Sequence, residues 1–204
     1  MAIDPADPHI VRFHYPAALA SHDYVHQQVV LELGTHAEFV PHGSFTIRSF
    51  VAEQFPDLMA EGDVPVEALL AKRTFWEKAT ILHAEFYRPP EKELPPRYSR
   101  HYYDLAMMTV SSIKDEALSD IELLNQVVKH KQTFYPSAWS RYDLARMGSL
   151  KLFPAEARLE ALQRDYRQMG VMIFGDPPLF DEILRTLSHL ETEINQEPEK
   201  QVEE

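Results

Sequence analysis

No cysteine occurs anywhere in the sequence. That excludes a disulfide framework and a thiolate zinc site, and it leaves the redox compartment open. Glycine is scarce too, with six residues. None of them builds a GxxxxGK[ST] phosphate loop or a GxGxxG dinucleotide turn, so neither a P-loop enzyme nor a Rossmann dinucleotide binder is supported. Nucleophile-elbow and kinase signatures are absent as well. No apolar run reaches the roughly eighteen residues that a membrane-spanning helix needs. The opening MAIDPADPHI has neither the basic nor the apolar stretch of a signal peptide. The expectation is a soluble, cytoplasmic protein with no membrane partner. Basic residues are in deficit, since 20 Lys and Arg stand against 32 Asp and Glu, a formal net charge of −12. That balance disfavours a broadly basic nucleic-acid surface but is compatible with a local basic cleft.

What is present suffices for a core, because 45% of the 204 residues are hydrophobic and 11% aromatic. Up to about residue 73 the pattern is short and extended. HIVRFHYP (9–16) alternates and is closed by Pro16, which predicts a strand. YVHQQVVLELG (24–34) predicts a second strand carrying one carboxylate, Glu32. SFTIRSFVAEQFP predicts a strand running into a short helix, and VPVEALL (64–70) a fourth strand or a helical turn. From residue 74 the period becomes helical. Phe75, Ala79, Leu82 and Phe86 form one stripe, ended by the proline-rich PPEKELPPR; Tyr98, Tyr102, Leu105, Thr109 and Ile113 form the next. Further helices are expected over 115–130, 154–170 and 178–195, followed by a charged tail.

Four side chains stand out as carriers of chemistry. Thr74 and Glu77 have capping-box spacing, which predicts a helix start there and puts Lys78 just past its third residue. A cation is disfavoured at a helix N-terminus unless an anion such as phosphate lies between. Asp104 is a carboxylate in mid-helix followed by apolar residues, and Arg100, four residues earlier, is placed to pair with it. Glu32 faces either solvent or a site. His22 with His26, and His36 with His42, invite a metal reading, but no HExxH-like spacing accompanies them.

In order along the chain, VVLELG, KRTFWEKATILH, PRYSRHYYDLAMM and the segment LQRDYRQMG to LETEIN resemble the nucleotidyl transferase AbiEii/AbiGii toxin family, over roughly residues 10 to 195. The resemblance implies the toxin half of a bacterial toxin–antitoxin or phage-abortive system. It also implies a fold related to DNA polymerase β-type nucleotidyltransferases, and transfer of a nucleotide from an NTP to an RNA acceptor such as tRNA with Mg2+. It assigns triphosphate contact to Lys78, with Arg100 beside it, and an activity-bearing carboxylate to Asp104. Glu32 is the looser match to a strand carboxylate and metal ligand. The family's GG[ST] turn and DxD strand are not present; HGSF (42–45) and EGD (61–63) are the nearest imitation. The expectation is therefore an α+β chain with a partial nucleotidyltransferase sheet over 1–73, a helical domain over 74–195 and a tail over 196–204. It would be truncated or split, with a cognate antitoxin and a missing N-terminal half, or a second copy, as partners. The alternative is a catalytically inactive interaction module that binds an antitoxin or RNA.

Overall fold

The structure is a computed structural model that describes residues 2–3, 7–16, 18, 26–34, 38–59 and 62–196. His22, His36 and Glu61 lie outside those residues. The fold is α+β, with short strands first and helices after. Strands β1 (Ala2–Ile3), β2 (Ile10–His14) and β3 (Gln28–Glu32) form one antiparallel sheet in the order β1-β2-β3. Strands β4 (His42–Arg48) and β5 (Asp63–Leu69) form a second, with helix α1 (Phe50–Gln54) between them in sequence. The expected single sheet is thus divided. Each strand pairs antiparallel with its neighbour in the chain, so local pairing satisfies the backbone without a shared ladder between the two sheets. The ambiguous VPVEALL stretch is strand, because its whole length pairs with β4.

Register decides what each sheet shows to solvent. Val11 and Phe13 lie opposite Leu31 and Val29, so they share one face of the first sheet. On that face Phe13 is 37% exposed, Leu31 46% and Val29 51%. Phe45 and Ile47 lie opposite Val66 and Val64 in the second sheet, and Phe45, Ile47 and Val64 are likewise exposed. Both sheets present an apolar face without cover among the described residues.

The core belongs to the helices. Helix α2 (Ala71–Phe86) is flanked by α3 (Ser99–Thr109), α4 (Ile113–Leu118) and α5 (Ile121–Phe134), while α6 (Leu159–Met169) and α7 (Phe180–Asn195) close on α3 from the other side. Phe75, Trp76, Ala79 and Leu82 of α2 are buried, as are Tyr102 and Leu105 of α3. Helix α7 answers with Ile183, Leu187, Leu190 and Ile194, one stripe at helical spacing.

Two helices expected to be continuous are broken, both at side chains that compete for the backbone. After Thr109 the hydroxyl of Ser111 donates to Met108 O at 2.8 Å and accepts from Ile113 N at 3.3 Å, which ends α3 and starts α4. At the next break Asp120 caps α5, accepting from Leu123 N at 3.3 Å.

The start of α3 is fixed from outside the helix. Its flanking residue, Tyr98, makes no side-chain capping bond. Instead Asp165 of α6 accepts from Arg97 N and Ser99 N, each at 2.8 Å, and from Ser99 Oγ at 2.5 Å. Arg97 is held at φ 63, a left-handed conformation costly for a residue with a Cβ. Asp165→Ala would leave two backbone donors at a buried helix start without a partner. We expect it to cost about 2 to 4 kcal/mol, read as a lower urea midpoint, with Asp165→Asn recovering part of the loss.

Candidate functional site

Lys78 is not at a helix start. Helix α2 begins at Ala71 with Leu70 flanking it, so Thr74 and Glu77 do not cap it and Lys78 falls in its third turn. The helix extends backwards through KRTFW: Arg73 N and Thr74 N both bond Leu70 O, at 2.9 and 3.4 Å. The conflict between a lysine and an N-terminal dipole therefore disappears, and another geometry takes its place.

From mid-helix, Lys78 reaches across to α3. Its Nζ donates to Asp104 Oδ2 at 2.6 Å and to His101 Nδ1 at 3.2 Å. The Lys78 side chain is 19% exposed and that of Asp104 37%. Asp104 and His101 share a face of α3 because they are three residues apart. The expected Arg100–Asp104 pair does not form, since the carboxylate is taken by Lys78; Arg100 has no ion pair among the described residues. An ammonium has three donors. Two are used here, and the third is free for a ligand.

His101 is held neutral. Burial, then the charges of Lys78, Arg100 and Lys131, push its pKa down to about 3. A neutral imidazole can accept from Lys78, which an imidazolium could not. Lys131, on α5, completes the group. Burial lowers its pKa to about 8, against the opposing pull of Glu77 and with Lys78 and Arg73 adding to the depression. Glu77 itself bonds Arg73 Nε at 3.1 Å, and that fully buried guanidinium also donates to Val40 O at 2.6 Å and Glu38 Oε2 at 3.0 Å.

Beyond Asp104 the α3 face continues into a cavity of about 240 Å³. Arg97, Arg100, Tyr103 and Asp104 form its polar wall, and Met169, Met172 and Ile173 its apolar one. Asp104 thus stands between the lysine cluster and a pocket that combines two arginines with an apolar surface, a chemistry suited to an anionic ligand with a flat hydrophobic part.

Of the residues singled out from sequence, the structure brings Lys78, Asp104 and Arg100 to one face. Glu32 does not join them by any hydrogen bond or ion pair among the described residues. It is exposed on β3, opposite Ile10 and on the polar face of its sheet. Sequence reasoning missed His101 and Lys131. A signal for Lys131 existed: it follows Leu124 and Val127 at helical spacing, so a lysine occupies the end of a buried stripe.

The family described as nucleotidyl transferase AbiEii toxin, Type IV TA system, matches residues 2–186. The chain belongs to this family. No curated protein and no solved structure matches it. Membership makes it a nucleotidyl transferase toxin of a type IV toxin–antitoxin system, with a nucleotide as substrate and an antitoxin as partner. No helix among the described residues is long and apolar enough to cross a membrane.

The metal that such transferases use finds no ligand set here. Among the described residues no three His, Asp or Glu side chains converge on a point that could hold an ion. Asp104 is committed to Lys78, and Asp63, in the imitation of DxD, bonds Arg48 Nε at 2.6 Å. Glu67 is taken by Ser44 and His42. These residues do not fit a magnesium centre.

His101 gives the cluster a pH signature. Its folded pKa lies near 3 and its ordinary value is 6.5, so below 6.5 the unfolded chain takes up a proton that the folded chain refuses. Its stabilising contribution is complete above that value and is lost progressively as pH falls toward 3. We expect the urea midpoint to drop between about pH 7 and about pH 5, and to drop less in His101→Gln. The residual slope includes His83, which burial also holds below its ordinary value.

Proposed function

We propose that this chain carries the lysine–aspartate part of a nucleotidyl transfer site, acting on an NTP and an RNA acceptor such as tRNA. The Lys78–Asp104 pair carries the reading: two helices meet through it, 2.6 Å apart, with a further donor of the lysine left open and Arg100 alongside. In nucleotidyl transfer the acceptor hydroxyl oxygen bonds to the α-phosphorus as the bridge to the β-phosphate breaks. The hydroxyl proton goes to a base, and pyrophosphate leaves with the electron pair. Cations that meet the growing charge on that leaving group lower the barrier. Lys78 serves that purpose. Asp104 holds the ammonium in place, and His101, being neutral, does so without competing for the phosphate.

The carboxylates that would hold magnesium come from outside the described residues, on a partner segment that bears the DxD function. The apolar face of the first sheet supports this, because Val11, Phe13, Val29 and Leu31, with Leu33 just beyond β3, lie where such a segment would pack. Each such side chain buried is worth about 1.5 to 3 kcal/mol. The same exposed faces favour a second reading, a module that binds its antitoxin or RNA and performs no chemistry.

Three measurements separate these. The isolated chain should bind an NTP, and Lys78→Met should weaken that binding about tenfold, the loss of one charged hydrogen bond; equal binding by the variant removes Lys78 from the site. Incubated with labelled NTPs, magnesium and bulk tRNA, the isolated chain should transfer nothing detectable. Metal-dependent labelling would mean that its own carboxylates suffice, with Glu32 and Asp104 the first to replace. In light scattering the chain should associate as concentration rises. A monomer at every concentration would mean that the sheets need no cover, and would favour the self-contained module.

A further inference from the structure

The cavity beside Asp104 carries three kinds of wall. Arg97, Arg100 and Asp104 supply two cations and a carboxylate, Tyr103 an aromatic ring, and Met169, Met172 and Ile173 an apolar surface. Its volume, about 240 Å³, lies a little below the roughly 300 Å³ at which pockets for drug-sized ligands begin. One ring system fits, with a charged end at the arginines. A whole nucleoside triphosphate does not.

The wall is fixed where the charge sits. Arg97 keeps φ 63, a conformation that persists in a residue with a Cβ only where its surroundings impose it, as they do at ligand sites. Asp165 imposes it, accepting from Arg97 N and Ser99 N at 2.8 Å each. Asp165 stands four residues ahead of Met169 on α6, hence on the same face of that helix, so one helix sets both the charged and the apolar wall. Arg100 has Asp104 one turn on, yet that carboxylate bonds Lys78 Nζ at 2.6 Å, and Arg100 has no ion pair among the described residues. Tyr103 is braced against Tyr166, their ring centroids 6.4 Å apart, and the Tyr166 hydroxyl donates to Pro178 O at 2.8 Å. Met169 is 4% exposed and Met172 54%, so the apolar wall runs from the core out to solvent and a ligand can enter without displacing a helix.

These demands meet in one kind of molecule. The arginines call for a phosphate, the methionines and the tyrosine for a flat ring, and the carboxylate for a hydroxyl or amine that donates to it. A fatty acid or a bare sugar phosphate answers only some of them. We propose that the cavity seats one nucleotide unit, its base against Met169, Met172 and Tyr103, its phosphate on Arg100 and Arg97, and a donor group toward Asp104. The proposal rests on the nucleotidyl transfer reading given above and gives that site a second compartment, divided from Lys78 by the Asp104 carboxylate. An incoming NTP and the last nucleotide of an RNA acceptor share this chemistry.

The test uses the full chain and two probes, adenosine 5′-monophosphate and its 8-azido analogue. By calorimetry, Arg100→Gln should weaken monophosphate binding about tenfold, the loss of one charged hydrogen bond. Ribose 5-phosphate, which lacks the base, should bind the wild type more weakly by about tenfold or more. On irradiation the azido analogue should label Tyr103 or the 169–173 segment, as read by peptide mapping, and saturating monophosphate should block that label. The mapping decides the matter even if Arg100→Gln fails to fold. Blocking by an NTP but not by a short oligoribonucleotide makes the incoming nucleotide the occupant, and the reverse makes it the acceptor's end; either supports the pocket. A label elsewhere, a label that the monophosphate does not block, or no monophosphate binding at all overturns it. So does monophosphate binding that Lys78→Met abolishes and Arg100→Gln leaves intact, since the nucleotide then sits at the lysine and the reading of Lys78 stands. If instead Lys78→Met leaves NTP binding unchanged while the label maps to the cavity, the lysine leaves the site and the pocket stands.

Discussion

Helix α2 is surrounded on nearly every side, and a helix so placed must satisfy not only apolar packing but every polar side chain it carries into the interior. Arg73, Thr80, His83 and Glu85 are all buried on it. Burying such groups unpaired would cost several kcal/mol in total, roughly, a large share of any domain's stability. Arg73 and His83 find partners in distant parts of the chain, Thr80 and Glu85 near at hand. Arg73 bonds the 38–40 segment ahead of the second sheet. The indole of Trp76 donates to Ala117 O at 3.2 Å, at the end of α4. Thr80 turns back on the carbonyl of Trp76. His83 donates to Arg141 O at 2.9 Å through Nε2 and accepts from Lys151 N at 3.1 Å through Nδ1, so a neutral ring ties two loops to the helix. Glu85 bonds Arg88 at 2.6 Å and faces Arg158 at 3.7 Å, with its remaining oxygen, like the Tyr102 hydroxyl, lacking a hydrogen-bond partner. Lys78 with Asp104 is one more spoke of this arrangement. The candidate site is therefore built from the constraint that organises the core: a central helix whose buried polar groups must be met, several of them from other parts of the chain.

That constraint also explains what the sequence disclosed. Strands β2 and β3 were legible from alternation and from Pro16, and the step from strand to short helix from SFTIRSFVAEQFP as a whole; in the structure Ser49 caps that helix, accepting from Ala52 N at 3.1 Å. The apolar stripes of α2 and α7 were legible because periodicity records burial directly. Helix ends were not. Thr74 and Glu77 have the spacing of a capping box, yet packing of the preceding turn against the 38–41 segment carries α2 back to Ala71. The cap that matters at α3 comes from Asp165, sixty-six residues from Ser99, and no local pattern announces a long-range cap. In the site, Lys78, Asp104 and Arg100 were recognisable by resemblance, but the partner of Asp104 was misread. A local rule pairs it with Arg100, whereas the lysine from α2 is closer and less exposed. His101 is visible only once α2 and α3 are assembled, since its partner is Lys78, whereas Lys131 is marked in the sequence only by its place at the end of an apolar stripe.

On the proposed reading, the distribution of charge accounts for how an acidic chain can serve a polyphosphate. The sequence carries a net charge of −12, and exposed carboxylates are screened over about 8 Å at physiological salt. The Lys78 side chain is mostly withdrawn from solvent, and a partly desolvated charge acts far more strongly on a ligand beside it than the same charge in water. The outer field discourages nucleic acid from settling across the surface at large, while the cleft keeps its attraction at short range. Neutral His101 sharpens the contrast. Were it protonated, it would repel Lys78 from Asp104 and open the pair; held neutral by burial, it accepts from the lysine and leaves Asp104 as the carboxylate bonded to that lysine. On the proposed reading, a phosphate arriving at Lys78 competes with Asp104, the carboxylate whose place decides where that lysine points.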